Sequence, residues 1–276
     1  MKRNYSDPAL LDALTEIASR AGEAIMRVRR AGAAIRSKAD ASPVTEADEA
    51  AEAIILEGLA RTLPDVAVVS EEAAQLGLPS ALPDIFILVD PLDGTREFID
   101  GRDEFTVNIA ILRSGRPIAG VVGAPALDAI WRGAEGAGAE RLVLQPGRAP
   151  DAASERVALR THPHRGGPWR AMVSRSHLDP KTEEWLTRFA AVERMDCGSS
   201  VKFCRIAEGK ADVYPRLGRT SEWDIAAGDA VLSAAGGVVL SLDGTPLRYG
   251  QVGRDLKVPS FVAWCDPKDA AAYSAA

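Results

Sequence analysis

Two aspartates at the end of an apolar segment are the most informative residues of the sequence. The apolar run 85–89 predicts a strand that ends at Asp90, and the proline after it keeps this aspartate extended and starts a turn. Asp93 can turn back beside Asp90, Gly94 leaves the backbone open to a ligand, and Thr95 adds a hydroxyl. Two neighbouring carboxylates repel each other unless one is protonated or a cation lies between them. This segment therefore predicts a cation site.

Further acids follow two other predicted elements. Glu71 comes after the apolar run 66–69, and Asp224 lies at a predicted helix start, where an acid alone would be an ordinary capping residue. Oxygen donors without His or Cys select Mg²⁺ or Mn²⁺, and such a site suits hydrolysis of a phosphate ester with two ions roughly 3.5 to 4 Å apart. The candidate ligands are Glu71, Asp90, the Leu92 carbonyl, Asp93, Thr95 and Asp224.

The composition disfavours several classes of protein. The 276 residues are 46% hydrophobic and 26% charged, which is enough apolar material for one large or two ordinary domains. A net charge of −6 argues against duplex nucleic acid as the main partner. Three cysteines without a CxxC pair and three histidines disfavour a disulfide framework, a structural zinc site and a serine hydrolase. We expect a cytoplasmic protein without a membrane span, and peripheral membrane association stays open.

The first part of the chain predicts helices followed by strands. Apolar residues at helical spacing over residues 10–28 predict one helix, capped by Ser6 or Asp7, and a second helix follows Thr45 and ends before Pro64. Gly and Pro turns then separate short strands, as in a mainly antiparallel sheet. These strands are predicted over residues 66–70, 85–90, 106–112 and 118–123.

The segment 133–168 is rich in Gly, Ala, Pro and Arg, which predicts a boundary between two halves, 1–150 and 151–276. Downstream, strands and helices alternate in the manner of an α/β layer structure. The predicted strands are residues 170–173, 211–214 and 238–241, and the predicted helices are 181–190, 200–208 and 224–235.

The order and spacing of these motifs resemble the lithium-sensitive, magnesium-dependent phosphatases of the inositol monophosphatase superfamily. The resemblance covers nearly the whole chain. It implies an αβαβα layered sandwich of the inositol monophosphatase/fructose bisphosphatase type, with an N-terminal α+β half, a C-terminal α/β half and a metal site between them. The motifs are Glu71-Glu72, the run Asp90-Pro91-Leu92-Asp93-Gly94-Thr95, and Trp223-Asp224 with Gly236-Gly237 eleven residues later.

Within the superfamily, the chain is similar to the 3'(2'),5'-bisphosphate nucleotidases of the CysQ type. The similarity is carried by residues 42–48, 96–99, 104–110, 174–177, 198–204 and 207–216. It implies hydrolysis of adenosine 3',5'-bisphosphate to AMP and phosphate, a reaction linked to sulfur metabolism, by a monomer or homodimer. An inositol 1-phosphate or other sugar-phosphate phosphatase is the alternative, followed by a nucleotide-binding sensor without turnover.

The resemblance also implies roles for the acids. Glu71, Asp90 and the Leu92 carbonyl would hold the metal that activates water, and Asp90, Asp93 and Asp224 would hold a second metal on the leaving oxygen. Two or three Mg²⁺ ions are expected in all, with Mn²⁺ as a substitute and Li⁺ as an inhibitor.

The remaining implied roles concern the nucleophile and the substrate. Thr95 and Glu71 would activate the water, and Asp48 would support Thr95. The N–H groups after Gly94 would bind the scissile phosphate. A substrate with two phosphates also needs fixed cations. The substrate-binding set is Asp93, Gly94, Thr95, Arg175, His177, Lys202, Arg216 and Asp224.

Overall fold

The computed structural model describes residues 4–32, 35–37, 43–176 and 178–274. The helices are α1 Pro8–Ala31, α2 Glu46–Thr62, α3 Glu71–Ala74, α4 Thr95–Ile99, α5 Pro180–Leu186, α6 Val201–Ala207, α7 Glu222–Ala235 and α8 Pro267–Ser274. The strands are β1 Ile35–Ser37, β2 Pro43–Thr45, β3 Ala67–Ser70, β4 Ile85–Asp93, β5 Thr106–Arg113, β6 Arg116–Ala124, β7 Ala129–Ala134, β8 Gly138–Val143, β9 Glu155–Leu159, β10 Trp169–Ser174, β11 Val192–Cys197, β12 Val213–Arg216, β13 Val238–Ser241 and β14 Phe261–Trp264.

Two long helices cover one face of the first sheet. Helix α1 begins where predicted, because the Asp7 carboxylate accepts a 3.0 Å hydrogen bond from the Ala9 amide and Pro8 occupies the first turn. The apolar faces of α1 and α2 bury Leu14, Ile25 and Ile55 completely, in one cluster with residues of the sheet. Burial of these side chains fixes both helices on the sheet.

The first sheet has seven strands in the order β3-β4-β5-β6-β7-β8-β9. Strands β3 and β4 are parallel, and every other neighbouring pair is antiparallel. The predicted mainly antiparallel sheet is therefore present. Its strands from β5 onwards follow one another in sequence, so that short turns suffice to connect them.

The second sheet has five strands in the order β11-β10-β12-β14-β13. Strand β10 pairs in parallel with β11 and β12, whereas β14 is antiparallel to both of its neighbours. An aromatic cluster packs one face of this sheet against α5 and α8, and it contains Trp169, Trp185, Phe189, Trp264 and Tyr273.

Helices α6 and α7 lie between the two sheets. Helix α7 packs closely on the first sheet: a Cβ at Gly120 of β6 would lie 2.6 Å from the Ala227 carbonyl oxygen, so only glycine fits there. On the other side, Phe203 of α6 packs against Tyr214 and Phe261 of the second sheet. The order is thus helix pair, sheet, helix pair, sheet, helix pair, and the predicted αβαβα sandwich is confirmed.

The segment 133–168, for which no strand is predicted from the sequence, contains strands of the first sheet. Strand β7 ends within this segment, strands β8 and β9 lie inside it, and the first sheet continues to Leu159. The boundary placed at residue 150 stays a prediction, and the sheet crosses it. Among the described residues, no helix is both long and apolar enough to cross a membrane.

Candidate active site

The parallel pairing of β3 and β4 brings two acids together. Ser70, the last residue of β3, pairs with Val89 of β4, so the residues that follow them, Glu71 and Asp90, are neighbours at the same sheet edge. The Ser70 hydroxyl accepts a hydrogen bond from the Ala73 amide at 3.4 Å and caps α3, which places Glu71 in the first turn of that helix. Glu71 and Asp90 both line one cleft.

A β-bulge in β4 directs a second aspartate to the same cleft. Asp90 pairs with Asn108 of β5 and Asp93 pairs with Thr106, so one extra residue is accommodated between the two pairs. Side chains three positions apart in a regular strand point to opposite faces, and a bulge reverses this alternation. Asp90 and Asp93 therefore both line the cleft.

Asp90 is the electrostatic centre of the site. Its side chain is buried, and its Oδ1 accepts a 3.1 Å hydrogen bond from the Leu92 amide across the turn at Pro91. Burial is the main cause that holds the pKa of Asp90 well above its usual range. The neighbouring carboxylates that add to this effect are those of Glu71, Asp93, Asp224 and Asp48.

Asp93 is held by the start of α6. The Ser200 amide donates a 2.6 Å hydrogen bond to Asp93 Oδ2. Burial and the charge of Asp224 raise the pKa of Asp93 to about 7, against the opposing effects of Lys202 and the Ser200 hydrogen bond. The ammonium group of Lys202 is buried, and it donates to the Ser199 carbonyl at 2.5 Å.

The Thr95 hydroxyl lies between two oxygen atoms. It is 3.2 Å from the Leu92 carbonyl oxygen and 3.5 Å from Oδ1 of Asp48, which is buried in the first turn of α2. Gly94 precedes Thr95 with φ +87°, a left-handed conformation that favours glycine, and a Cβ there would lie 3.1 Å from the Glu104 carbonyl oxygen. The tight turn fixes the hydroxyl at the cleft.

Asp224 comes from the other half of the chain. It lies in the first turn of α7, where Ser221 and Asp224 form a capping box. Its Oδ2 accepts hydrogen bonds from the Thr220 hydroxyl at 2.5 Å and from the Ser221 amide at 2.9 Å. Because α7 packs across β4, β5 and β6, its first turn reaches the strand end that carries Asp90.

These groups line a cleft of about 840 Å³ between the two halves. The predicted residues Glu71, Asp90, Leu92, Asp93, Gly94, Thr95, Lys202, Arg216 and Asp224 all line it. The cleft also contains three cations that the sequence did not identify, Arg96, Arg219 and Lys257. Arg219 directly precedes the Thr220-Ser221 cap of α7, so it could have been found from sequence, whereas Lys257 reaches the site only through tertiary structure.

Comparison with known proteins agrees with this architecture. The inositol monophosphatase family matches residues 8–272. The chain belongs to the inositol monophosphatase family. The 3'(2'),5'-bisphosphate nucleotidase CysQ of Escherichia coli strain K12 is 41% identical over 242 residues, which are 87% of this chain and 94% of that protein. The predicted resemblance is therefore confirmed, and with it the enzyme class, a phosphatase.

Two solved structures show the same fold. CysQ from Bacteroides thetaiotaomicron, described as a bacterial member of the inositol monophosphatase family, superposes with a TM-score of 0.77 at 35% identity and covers 95% of this chain and 98% of its own. Inositol monophosphatase from Anabaena superposes with a TM-score of 0.71 at 26% identity, covering 97% of this chain and 94% of its own. The layered fold is thus shared across the family.

The donor chemistry of this family member fits a hard divalent cation. The acids that surround Asp90 offer only carboxylate oxygens, and the Leu92 carbonyl adds a neutral one. In the arrangement of the described residues, no three Asp, Glu, His or Cys side chains form a ready cage for an ion. The raised pKa values of Asp90 and Asp93 express the same unfavourable charge that a bound cation would neutralise.

Two cations of the predicted substrate-binding set are not among the residues found to line the cleft. The guanidinium group of Arg175 is ion-paired with Glu104 and donates a 2.9 Å hydrogen bond to the Asp196 carbonyl, and it lies outside the lining of the cleft. Glu104 also accepts a hydrogen bond from the Gly198 amide at 3.3 Å, so Arg175 supports the turn before α6. His177 lies outside the described residues.

Proposed function

We propose that this chain is a Mg²⁺-dependent, lithium-sensitive phosphomonoesterase that hydrolyses adenosine 3',5'-bisphosphate to AMP and phosphate. The observation that carries the proposal is the buried Asp90 among four carboxylates, beside the Thr95 hydroxyl, in a cleft that also contains basic side chains. The CysQ relatives, which are named as 3'(2'),5'-bisphosphate nucleotidases, support the choice of substrate.

The metal ions would be held by residues from both halves. The proposed ligands are Glu71, Asp90, the Leu92 carbonyl, Asp93 and Asp224. Bound there, two or three Mg²⁺ ions would lower the pKa of a bound water and stabilise negative charge on the phosphate and the leaving oxygen. All of these ligands line the one cleft, which supports their assignment to a common site.

The chain's own residues would position the attacking water and take its proton. The Thr95 hydroxyl carries a single proton, which it can donate to Asp48 while it accepts a proton from the water. Asp48 is buried, so its carboxylate is shielded from exchange with bulk water. Glu71 lies at the same strand end as Asp90 and would act with Thr95 as a base.

The substrate would bind with its scissile phosphate at the turn of Gly94 and Thr95. Helix α4, which begins at Thr95, has five residues, so we assign this contact to individual amides of the turn rather than to a long helix. Lys202 and Arg216 line the cleft and would attract the remaining phosphate charge. Arg175 and His177 remain proposed substrate residues, and Arg175 would have to leave Glu104 to act directly.

Inhibition by lithium would follow from the second metal position. Li⁺ would replace the ion held by Asp90, Asp93 and Asp224 after hydrolysis and retain phosphate in the site. Inhibition would then be uncompetitive with the substrate and would deepen as Mg²⁺ fills the first position. Competitive inhibition by Li⁺ would contradict this assignment.

The proposed setting of the enzyme is the cytoplasm, as a monomer or a homodimer. The three cysteines are free and buried, which suits a reducing compartment. Size-exclusion chromatography with light scattering would distinguish the two assemblies.

One substrate panel tests the proposal. Phosphate release with Mg²⁺ is measured for adenosine 3',5'-bisphosphate, inositol 1-phosphate and fructose 1,6-bisphosphate, and we expect the highest kcat/KM for the nucleotide. Equal or faster turnover of inositol 1-phosphate would instead support an inositol or sugar-phosphate phosphatase. Tight binding of the nucleotide without phosphate release would support a sensor.

A further inference from the structure

One buried carboxyl group at the cleft has no part in the proposed reaction. Glu97 lies in α4, two residues after Thr95, and its side chain lines the cleft although the residue is buried. Its Oε1 accepts a 2.5 Å hydrogen bond from the hydroxyl of Ser176, which lies in the segment after β10. Burial of a carboxyl group is costly unless hydrogen bonds compensate it, so this bond ties α4 to the second half of the chain.

The Glu97 side chain fills the space between two glycine turns. A Cβ at Gly94 would lie 3.3 Å from its Oε2, and a Cβ at Gly198 would lie 2.7 Å from its Cγ. The first turn carries Thr95, and the second leads to Ser200 at the start of α6. One side chain therefore packs against both turns that place groups at the site.

The turn that holds Asp93 has a strained backbone. Ser199 has φ +45°, a left-handed conformation that is unusual for a residue other than glycine. The next amide, that of Ser200, donates the 2.6 Å hydrogen bond to Asp93. A strained conformation persists only where its surroundings determine it. The packing of Glu97 against Gly198 therefore bears on the orientation of the Asp93 carboxylate.

Glu104 adds a second link between the halves. Its carboxylate is ion-paired with Arg175 and accepts a 3.3 Å hydrogen bond from the Gly198 amide. A Cβ at Gly198 would lie 2.6 Å from the Glu104 carbonyl oxygen. Glu97 and Glu104 of the first half thus both hold the segment after β10 and the turn before α6.

We propose that Glu97 is a positioning residue, which holds the turn before α6 against the turn of Gly94 and so orients Asp93 for the metal. The inference rests on the proposed function, because that function makes Asp93 a metal ligand. Glu97 acts through its packing and through its bond to Ser176, and in this role it contacts neither the metal nor the substrate. Removal of a group that orients a metal ligand typically costs about 10- to 100-fold in metal affinity or activity.

The test measures metal binding without turnover. Mn²⁺ is titrated into the metal-free protein, and the free ion is followed by electron paramagnetic resonance. E97D keeps the charge but is one methylene shorter, whereas E97Q keeps the length and an oxygen that can accept from Ser176. We expect the Kd of Mn²⁺ to rise about tenfold in E97A and in E97D, and about threefold at most in E97Q.

Two further variants complete the series. S176A keeps Glu97 and removes only its hydrogen-bond partner, so it carries the test if the variants at Glu97 do not fold; its Kd should rise about fivefold. E16A removes an exposed glutamate of α1 and controls for the loss of one negative charge, with an unchanged Kd. Circular dichroism establishes that each variant is folded.

Steady-state kinetics provide a second measurement. With adenosine 3',5'-bisphosphate at saturating Mg²⁺, S176A should lower kcat and change KM less than about twofold, because a residue that only orients Asp93 does not contribute to substrate binding. A KM effect with unchanged kcat would overturn the inference, because it would make Glu97 and Ser176 part of the substrate site.

The metal titration separates the inference from the function on which it rests. Wild-type Mn²⁺ affinity in both E97D and S176A would overturn the inference alone. A loss in E97Q as large as that in E97A, with E97D like the wild type, would also overturn it, because charge rather than position would then be the cause. A wild-type protein that binds no Mn²⁺ and hydrolyses no phosphate ester would overturn the proposed function, and the inference with it.

Discussion

The amide of Ser200 donates a 2.6 Å hydrogen bond to the carboxylate of Asp93 and so joins α6 to the end of β4. The Ser200 hydroxyl continues this connection, since it donates to Asn108 Oδ1 at 2.6 Å and lies 2.8 Å from the Thr106 hydroxyl. Ser200, Asn108 and Thr106 are all buried. A buried polar network of this kind fixes one arrangement of the two halves around Asp93.

We therefore expect S200A to destabilise the fold. The substitution removes the partner of the buried Asn108 carbonyl, and an unsatisfied buried polar group costs about 1–3 kcal/mol. The free energy of unfolding in urea measures the effect, with S154A, at an exposed serine, as the control that should change little. Equal stability of S200A and wild type would show that the network does not join the halves.

A second prediction concerns Asp90 and magnesium. D90N keeps the oxygen that accepts from the Leu92 amide and removes the charge that neighbouring acids disfavour. We expect metal-free D90N to have a Tm equal to or above that of the wild type, and to lack turnover. In the wild type, Mg²⁺ at 100 times its Kd should add about 2.7 kcal/mol of stability, and D90N should lose most of this gain.

The control for this experiment is D65N, which changes an exposed aspartate outside the site. D65N should keep both the activity and the rise of Tm with Mg²⁺. If metal-free D90N were strongly destabilised, Asp90 would act mainly as a structural cap of the turn at Pro91.

A third prediction uses the buried pair of Asp229 and Tyr249. Asp229 accepts hydrogen bonds from the Tyr249 hydroxyl at 2.7 Å and from the Ser233 hydroxyl at 2.9 Å, but burial outweighs both and raises its pKa to about 6. The pKa of Asp229 is higher in the folded than in the unfolded protein, so protonated Asp229 stabilises the fold. This contribution to the free energy of unfolding is complete below the unfolded pKa and is lost as the pH rises through about 6. The loss amounts to at most about 3 kcal/mol.

In the D229N variant this pH dependence is absent, because the asparagine side chain does not ionise. The Tm difference between D229N and the wild type should therefore become more positive as the pH rises from about 4.5 to about 7.5. D151N, at an exposed aspartate, should show no comparable trend. A pH-independent difference would show that Asp229 is ionised throughout this range.

The acidic ligands could be predicted from sequence because local signals carry them. Each follows an apolar strand or begins a helix, and the parallel pairing of β3 with β4 then places Glu71 beside Asp90. The bulge that directs Asp90 and Asp93 to the same cleft has no local signal beyond Pro91 and Gly94. The bulge is defined by the register of β4 with β5.

Strands β7 and β8 are not predicted from the sequence, and the small size of their residues explains why. The glycines and alanines of this region resemble a linker, but their small size allows α7 to pack on the sheet. A Cβ at Gly133 would lie 2.8 Å from the Ala234 Cβ and 3.2 Å from the Val231 Cα. Small residues in a strand can therefore indicate close packing of a helix, and one sequence cannot distinguish this from a flexible segment.

Non-local contacts explain the remaining omissions at the site. Lys257 is brought to Ser221 by a bridge between segments far apart in sequence, and nothing near Lys257 resembles a motif. Conversely, Arg175 is near the predicted substrate motif but is paired with Glu104. A cation is available to the substrate only if it does not form an ion pair with an acid in the folded protein, as Arg175 does with Glu104.

The last prediction concerns the Thr95 hydroxyl. Its position between the Leu92 carbonyl and Asp48 suits a group that orients the attacking water and passes its proton on. T95A should therefore lower kcat by about 10²-fold or more, the loss typical of one positioned proton-transfer group, with little change in KM. T95S keeps the hydroxyl and should retain most of the activity. Steady-state kinetics with adenosine 3',5'-bisphosphate at saturating Mg²⁺ measures both constants. If T95A instead raised KM and left kcat unchanged, the hydroxyl would contact the substrate phosphate, and its role in activating water would be wrong.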